Sequence, residues 1–246
     1  MKRLKRISVI IPCYNEERGI EKVIKNIPKK QLRKLGFNVD VLVIDNNSTD
    51  STAEIARKNK AKVIFESRQG KGNAIKTGFR NIDKDADYVV MLDGDNTYKS
   101  EEIPRLIEPL DSGFCDVIIG SRLGGKIKIK SMGFSHKMAN WFFTFFIRHF
   151  YSANITDLCS GFFAWKKEVV DNLSKYLKSE GFSIEAEMTT KMAKLGYEIY
   201  SAPITYDRRE GTSSLHPFRD TINILTVLFK NLRLKPKIEI NQEYKN

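Results

Sequence analysis

The sequence predicts an α/β fold: a mostly parallel sheet flanked by helices. Three observations carry that expectation. Short apolar runs alternate with helix-patterned segments through the first half of the chain, the order that sets parallel strands beside covering helices. Polar residues able to do chemistry follow each apolar run, as they do where ligands sit at the carboxyl ends of strands. The clearest run, Tyr88 to Leu92, ends in two carboxylates, Asp93 and Asp95, around Gly94.

Taken in order, Ile7 to Ile11 is a strand, followed by a helix from about Glu16 to Ile27. Val39 to Ile44 is the second strand, and Ser48 or Thr49 can cap a helix running to about Asn59. Ala61 to Phe65 is the third strand, with a helix near Asn73 to Arg80. After the strand Tyr88 to Leu92, Ser100-Glu101-Glu102-Ile103 opens another helix, and Asp116 to Ile119 makes a fifth strand.

The 246 residues are 41% hydrophobic and 29% charged, enough for one domain with a sizeable core. Cys13, Cys115 and Cys159 are widely spaced and form neither a metal spacing nor a disulfide framework, so a reducing cytoplasm is expected. No apolar run reaches transmembrane length. A net charge of +12 implies an anionic partner: nucleic acid, a membrane surface or a phosphorylated substrate. Carboxylates at successive strand ends, with no helix-turn-helix or zinc spacing, argue against nucleic acid.

The acidic pair is the strongest pointer to chemistry. Alternation along an extended backbone points Asp93 and Asp95 to one side, and Gly94 permits a tight turn. Such a pair suits a hard cation, Mg²⁺ or Mn²⁺, that keeps positions open for substrate phosphates. An ordinary Asp-Gly turn would read the same. After the first strand, Tyr14 can stack on a flat base, and Glu16 or Glu17 can accept a hydrogen bond. After the second, Asp45 or Asn46 can bind a nucleobase or ribose, while Ser48, Thr49 and Asp50 look like helix-cap chemistry. In Gly70-Lys71-Gly72, Lys71 can meet a phosphate, or the segment is a flexible turn. Arg122, after the fifth strand, can bind a phosphate or pair with a structural carboxylate.

Ile10-Ile11-Pro12-Cys13-Tyr14-Asn15-Glu16, Ile44 to Thr52, Gly70-Lys71-Gly72, Asp93-Gly94-Asp95 and Gly120-Ser121-Arg122 occur in one characteristic order. In that order they resemble the family-2 inverting glycosyltransferases of GT-A fold. Thr156 to Phe162 and Arg208-Arg209-Glu210-Gly211-Thr212-Ser213 resemble the branch with dolichol-phosphate mannose synthase and polyprenyl-phosphate glucosyltransferases. The resemblance spans about residues 5 to 230. It implies a catalytic domain over 1–232, with a nucleotide-sugar half to about 122, an acceptor half over 123–232 and a basic tail over 233–246. Pro12, Tyr14, Glu16, Ile44, Asp45 and Asn46 would surround the nucleoside of a UDP- or GDP-sugar. Asp93, Gly94 and Asp95 would meet its diphosphate and metal, and Lys71, Arg122 and Arg208 the phosphate charge. Asp157 would orient the acceptor, or act as base if the acceptor is a hydroxyl; it also reads as a turn carboxylate.

Three positions depart from the branch. Asn46 stands for a second Asp, Thr97 for a metal-binding Gln, and Ser214 for a Lys that Arg209 or His216 would have to replace. The implied acceptor is a polyprenyl or dolichyl phosphate, with a saccharide or other soluble hydroxyl as the alternative. Met138 to Ile147 is almost continuously apolar, beside Lys126, Lys128, Lys130, Lys137 and Arg148. A second helix carries Phe218, Ile222, Leu225, Phe229 and Leu232, leading into Lys230, Arg233, Lys235 and Lys237. Apolar faces beside cations predict a peripheral protein on the cytoplasmic face of the cell membrane; both stripes also read as core.

Overall fold

A computed structural model of the chain describes residues 3–128, 131–211 and 216–234. Strands β1 (Lys5–Cys13), β2 (Phe37–Asp45), β3 (Lys62–Phe65), β4 (Tyr88–Met91), β5 (Val117–Ile127), β6 (Phe163–Lys166) and β7 (Ile199–Tyr206) form one sheet in the order β3-β2-β1-β4-β6-β5-β7. The helices are α1 (Ile20–Lys25), α2 (Lys29–Lys34), α3 (Thr52–Lys58), α4 (Lys71–Asn81), α5 (Ile103–Asp111), α6 (Phe134–Tyr151), α7 (Lys167–Leu173), α8 (Ile184–Lys194) and α9 (Pro217–Leu232). The GT-A-type architecture expected from the motifs is present: a mixed, mostly parallel sheet between helical layers.

β1 and β4 are apolar because they are covered on both faces, whereas the edge strand β3 is partly exposed. Ile7, Val9, Ile10 and Ile11 of β1 are all fully buried. One cluster gathers Ile10, Ile44, Ile75, Met91, Phe163 and Trp165 on one side of the sheet; the other gathers Ile7, Val9, Ile11, Val43, Val90 and Ile107. Neighbouring β1 residues divide between the two clusters, as the two-residue period of a strand requires.

The expected parallel run is interrupted after β4. β6 lies antiparallel between β4 and β5, pairing Val89 with Trp165 and Val117 with Trp165. β5 instead runs parallel to β7. The helix expected over 16–27 is shorter, Ile20–Lys25, with α2 following Pro28. The expected helix caps also differ. α3 starts at Thr52, with no side-chain cap, because Ser48 Oγ instead accepts from Asn15 N at 3.1 Å and Thr49 N donates to Asn15 Oδ1 at 2.8 Å. These bonds tie the exits of β1 and β2 together.

α6 and α9 pack against the core by one face each. Asn140, Phe143, Thr144, Phe146, Ile147 and Tyr151 are buried, while Trp141, Phe142, Phe145 and Phe150 of the same helix are exposed. On α9 the buried face is Asp220, Ile224, Leu228 and Asn231; the expected stripe residues Phe218, Ile222 and Phe229 lie on the exposed side.

Candidate active site

The carboxyl ends of β1, β2 and β4 open into a cleft of about 390 Å³, lined by Pro12, Tyr14, Glu16, Asn46, Lys71 and Asp93 together with Arg209, His216 and Asp220. Chain direction puts it there: β2 and β4 flank β1 on opposite sides, and the loops leaving them diverge. The chain turns sharply after each strand through an asparagine in the left-handed region, Asn15 (φ 55), Asn47 (φ 65) and Asn96 (φ 62). Asparagine tolerates that conformation better than most residues.

The acidic pair sits on a turn beyond β4, so the extended-strand alternation expected for it does not apply. Each carboxylate has its own cation. Lys71 Nζ lies 2.7 Å from Asp93 Oδ1 and 2.7 Å from Glu185 Oε1. Burial alone would lower the Lys71 pKa, but Asp93 and Glu185 more than offset it and hold the ammonium charged. Asp95 Oδ1 accepts from Thr97 N at 3.0 Å and Thr97 Oγ1 at 2.6 Å, and Asp95 Oδ2 pairs with Arg209 at 3.0 Å. Burial first, and then the neighbouring Asp93 charge, push the Asp95 carboxyl upward. The second nitrogen of the same guanidinium pairs with Glu16 Oε1. Burial drives the Glu16 carboxyl up to about 8 against the pull of Arg209.

Two close approaches set this geometry. A Cβ on Gly161 would overlap Asp93 Oδ2, and Gly161 N donates to Tyr98 Oη at 2.7 Å. A Cβ on Gly70 or Gly72 would strike the backbone at Glu180 and Ser179. Gly70-Lys71-Gly72 is therefore a packed junction that aims Lys71, not a flexible turn.

Other expected site residues serve the walls. Asn46 Nδ2 donates to Glu66 O at 3.1 Å and Arg68 O at 2.7 Å, and its Oδ1 accepts from Gly70 N at 2.7 Å. An amide does this where a carboxylate would face two carbonyls, which accounts locally for Asn at this position. Asp45 Oδ1 accepts from Ser48 N at 3.1 Å and closes the turn after β2. Ile44 is fully buried in the core and does not reach the cleft. Gly94 packs on the strand end; a Cβ there would lie 2.6 Å from Cys13 Sγ. Thr97 stands where metal-binding Gln was the comparison, and it orients Asp95 from below.

Three expectations change. Arg208 is exposed, and Arg209, next in sequence, enters the cleft. Arg122 and Asp157 lie outside the cleft lining, joined through Arg122 Nε to Asp157 Oδ2 and Nη2 to Oδ1, both at 2.8 Å. Arg122 N and Asn140 Nδ2 complete the hydrogen bonding of that carboxylate, at 2.8 and 2.7 Å, and Asp157 is fully buried. Asp157 is thus fully paired and enclosed in this fold, with Arg122 and Asn140 as its partners. Ser214 lies outside the described residues, as do Lys130, Lys235 and Lys237. Glu185 was missed; no local pattern marks a helical glutamate whose partner, Lys71, sits more than a hundred residues earlier.

Glu66 braces the wall behind Asn46. Hydrogen bonds from Arg68 and Thr77 hold its carboxyl down, from an ordinary 4.5 to about 2. A depressed folded value means that its stabilisation is present above 4.5 and is lost as pH falls towards 2. Melting temperature followed through that window is expected to drop, and Glu66→Gln should flatten that part of the profile; a profile identical to the parent's would refute the assignment.

Residues 8–174 match the model of glycosyl transferase family 2. The chain belongs to glycosyl transferase family 2. This glycosyltransferase is 36% identical over 215 residues to the low-salt glycan biosynthesis hexosyltransferase Agl6 of Haloferax volcanii, covering 87% of this chain and 51% of that protein. The chain thus spans about half the length of Agl6. It is 31% identical over 215 residues to the undecaprenyl-phosphate mannosyltransferase of Micrococcus luteus, covering 83% of this chain and 85% of that one. Its fold matches Mycobacterium tuberculosis glucosyl-3-phosphoglycerate synthase in complex with Mn²⁺, UDP and phosphoglyceric acid. The TM-score is 0.71 at 20% identity, over 95% of this chain and 80% of that one.

The expected lipid-phosphate acceptor and membrane-surface partner are corrected. Structures sharing this glycosyltransferase fold hold a soluble phosphorylated acid, phosphoglyceric acid. Among the described residues no helix is long and apolar enough to cross a membrane. The cations expected to face a membrane are partly engaged: Lys128 pairs with Asp207 at 2.6 Å, and Arg148 donates to Ile155 O at 3.3 Å.

Proposed function

We propose that this glycosyltransferase moves a sugar, with inversion, from a nucleotide diphosphate sugar to a hydroxyl of a soluble acceptor, and that the acceptor is anionic. The observation that carries the reading is the cleft lined by Lys71, Asp93 and Arg209, with Glu185 and Asp95 paired to Lys71 and Arg209 just behind that lining. Arg219 lines the same cleft and supplies positive charge for an anionic acceptor, with His216 beside it in the lining.

The donor set fits a divalent cation that is only partly held by protein. Asp93 and Asp95 are hard oxygen donors, and the described residues hold no cluster of three or more His, Cys, Asp or Glu around a common point. Such a site leaves positions for diphosphate oxygens and water, and Mn²⁺ accompanies UDP in the fold neighbour. When bound, the cation would neutralise charge growing on the leaving diphosphate. Tyr14 and Pro12 form a flat wall for the base. Lys71 holds the Asp93 and Glu185 side chains in place, and Gly161, lacking a Cβ, lets the Asp93 carboxylate lie against its backbone. Attack on the anomeric carbon from the side opposite the diphosphate inverts its configuration. The halves on either side of residue 122 are read as donor and acceptor sides of one cleft.

The test is a matrix of UDP- and GDP-sugars with Mn²⁺ against small phosphorylated hydroxy acids, saccharides and a short-chain polyprenyl phosphate. Transfer to a soluble acceptor is expected, with an α-linked donor giving a β-linked product by NMR. Transfer confined to the polyprenyl phosphate, or an α-linked product, would overturn the reading.

A further inference from the structure

Arg209 and a divalent cation require the same oxygen. Of the two carboxylate oxygens of Asp95, Oδ1 is committed to Thr97 N and Thr97 Oγ1. Oδ2 is the one that remains, and Arg209 Nη1 holds it at 3.0 Å. The guanidinium also spans to Glu16, whose side chain is 8% exposed, against 3% for Asp95 and 31% for Arg209. A partly exposed guanidinium thus plugs two buried carboxyl groups.

The plug is imperfectly seated. Glu16 Oε2 and Arg209 Nε are buried without a hydrogen-bond partner, and an unpaired buried polar atom costs free energy. The segment carrying Arg209 lies along the acidic turn by few main-chain bonds: Asp207 N to Thr97 O at 2.9 Å and Glu210 N to Asp95 O at 3.3 Å. The Glu210 carboxylate is held at 2.8 Å by Lys22 and at 3.0 Å by Asn96 Nδ2. Those bonds anchor the backbone while leaving the Arg209 side chain free to swing. Gly211, at φ +122, follows at once in a conformation that suits glycine.

We propose that Arg209 is an exchangeable counter-cation. It bridges Asp95 and Glu16 until a divalent cation takes Asp95 Oδ2, and it is then repelled by that charge into the cleft it already lines. There its planar fork matches the diphosphate oxygens of the donor better than a lysine would. Arg209 is thus a positioning residue that couples metal to nucleotide. The cation must displace it, and the diphosphate gives it a new partner, so each ligand favours the other. Asp93 is spared this competition because its own cation, Lys71, is locked by Glu185.

The inference rests on the metal reading of Asp93 and Asp95, and the test separates the two. Mn²⁺ affinity is measured by calorimetry, without nucleotide and then with saturating UDP or GDP, for the parent, Arg209→Gln and Asp95→Asn. Arg209→Gln is expected to bind Mn²⁺ alone more tightly, on the order of tenfold, and to lose most of the enhancement by nucleoside diphosphate. If the glutamine variant does not fold, Arg209→Lys takes its place, since a point charge cannot bridge both carboxylates; the same direction is expected. Unchanged or weaker Mn²⁺ binding in these variants, with binding lost in Asp95→Asn, would overturn the role of Arg209 alone. Parent-like Mn²⁺ binding in Asp95→Asn would overturn the metal reading itself.

Discussion

Asp157→Asn is expected to destabilise the protein by about 3–5 kcal/mol, the usual cost of stripping one partner from a buried ion pair. Arg122 is 8% exposed and Asp157 fully buried, so the guanidinium would face a neutral amide without access to water. The loss reaches further than one pair. Asn140 of α6 donates to the same carboxylate, and its Oδ1 accepts from Cys159 N at 3.1 Å, so the loop that brings Gly161 against Asp93 hangs on this network. Chemical denaturation should show the shifted midpoint. The double variant Arg122→Met, Asp157→Leu should recover part of the loss, because no unpaired charge remains. An Asp157→Asn protein of parental stability with lost turnover would return Asp157 to the chemistry.

Asp95→Asn is expected to lower turnover by at least about a hundredfold, the scale of removing one electrostatic contact to a developing anion. The residue is 2% exposed and holds Thr97 and Arg209 together, so alanine would leave the Thr97 donors orphaned and confuse stability with catalysis. Asparagine keeps an oxygen for Thr97 and removes only the charge. Chelation of divalent ions should reproduce the loss, and added Mn²⁺ should reverse chelation but not the substitution. Full turnover in the chelated enzyme would end the case for a metal at this site.

The donor side was largely legible because it is built locally. Pro12 lies at the end of β1; Tyr14, Glu16, Asn46, Lys71 and Asp93 each follow a strand within a few residues, and all line one cleft. The acceptor side was harder. Helical spacing on α9 picked Phe218, Ile222, Leu225, Phe229 and Leu232. Leu225 and Leu232 do pack against the core, but its centre takes Ile224 and Leu228 while Phe218, Ile222 and Phe229 stay exposed, because apolar residues on more than one face leave the buried face to be chosen by packing. The aromatic run of α6 suggested a membrane for the same reason, and half of it is core.

By itself the sequence determined the α/β class, the three strands whose ends open into the cleft and the acidic turn beside it, since periodicity and turn chemistry act over a few residues. Tertiary structure decided which charges meet. Arg209 reaches Glu16 across 193 positions, Arg122 reaches Asp157 across 35, and Lys71 finds Glu185 on a helix that no motif marks. It also slipped β6 antiparallel into the sheet. A buried charge takes whichever opposite charge the packed chain brings within about 3 Å, because the desolvation cost of standing alone exceeds any local preference. That choice depends on the whole fold, and no stretch of sequence contains it.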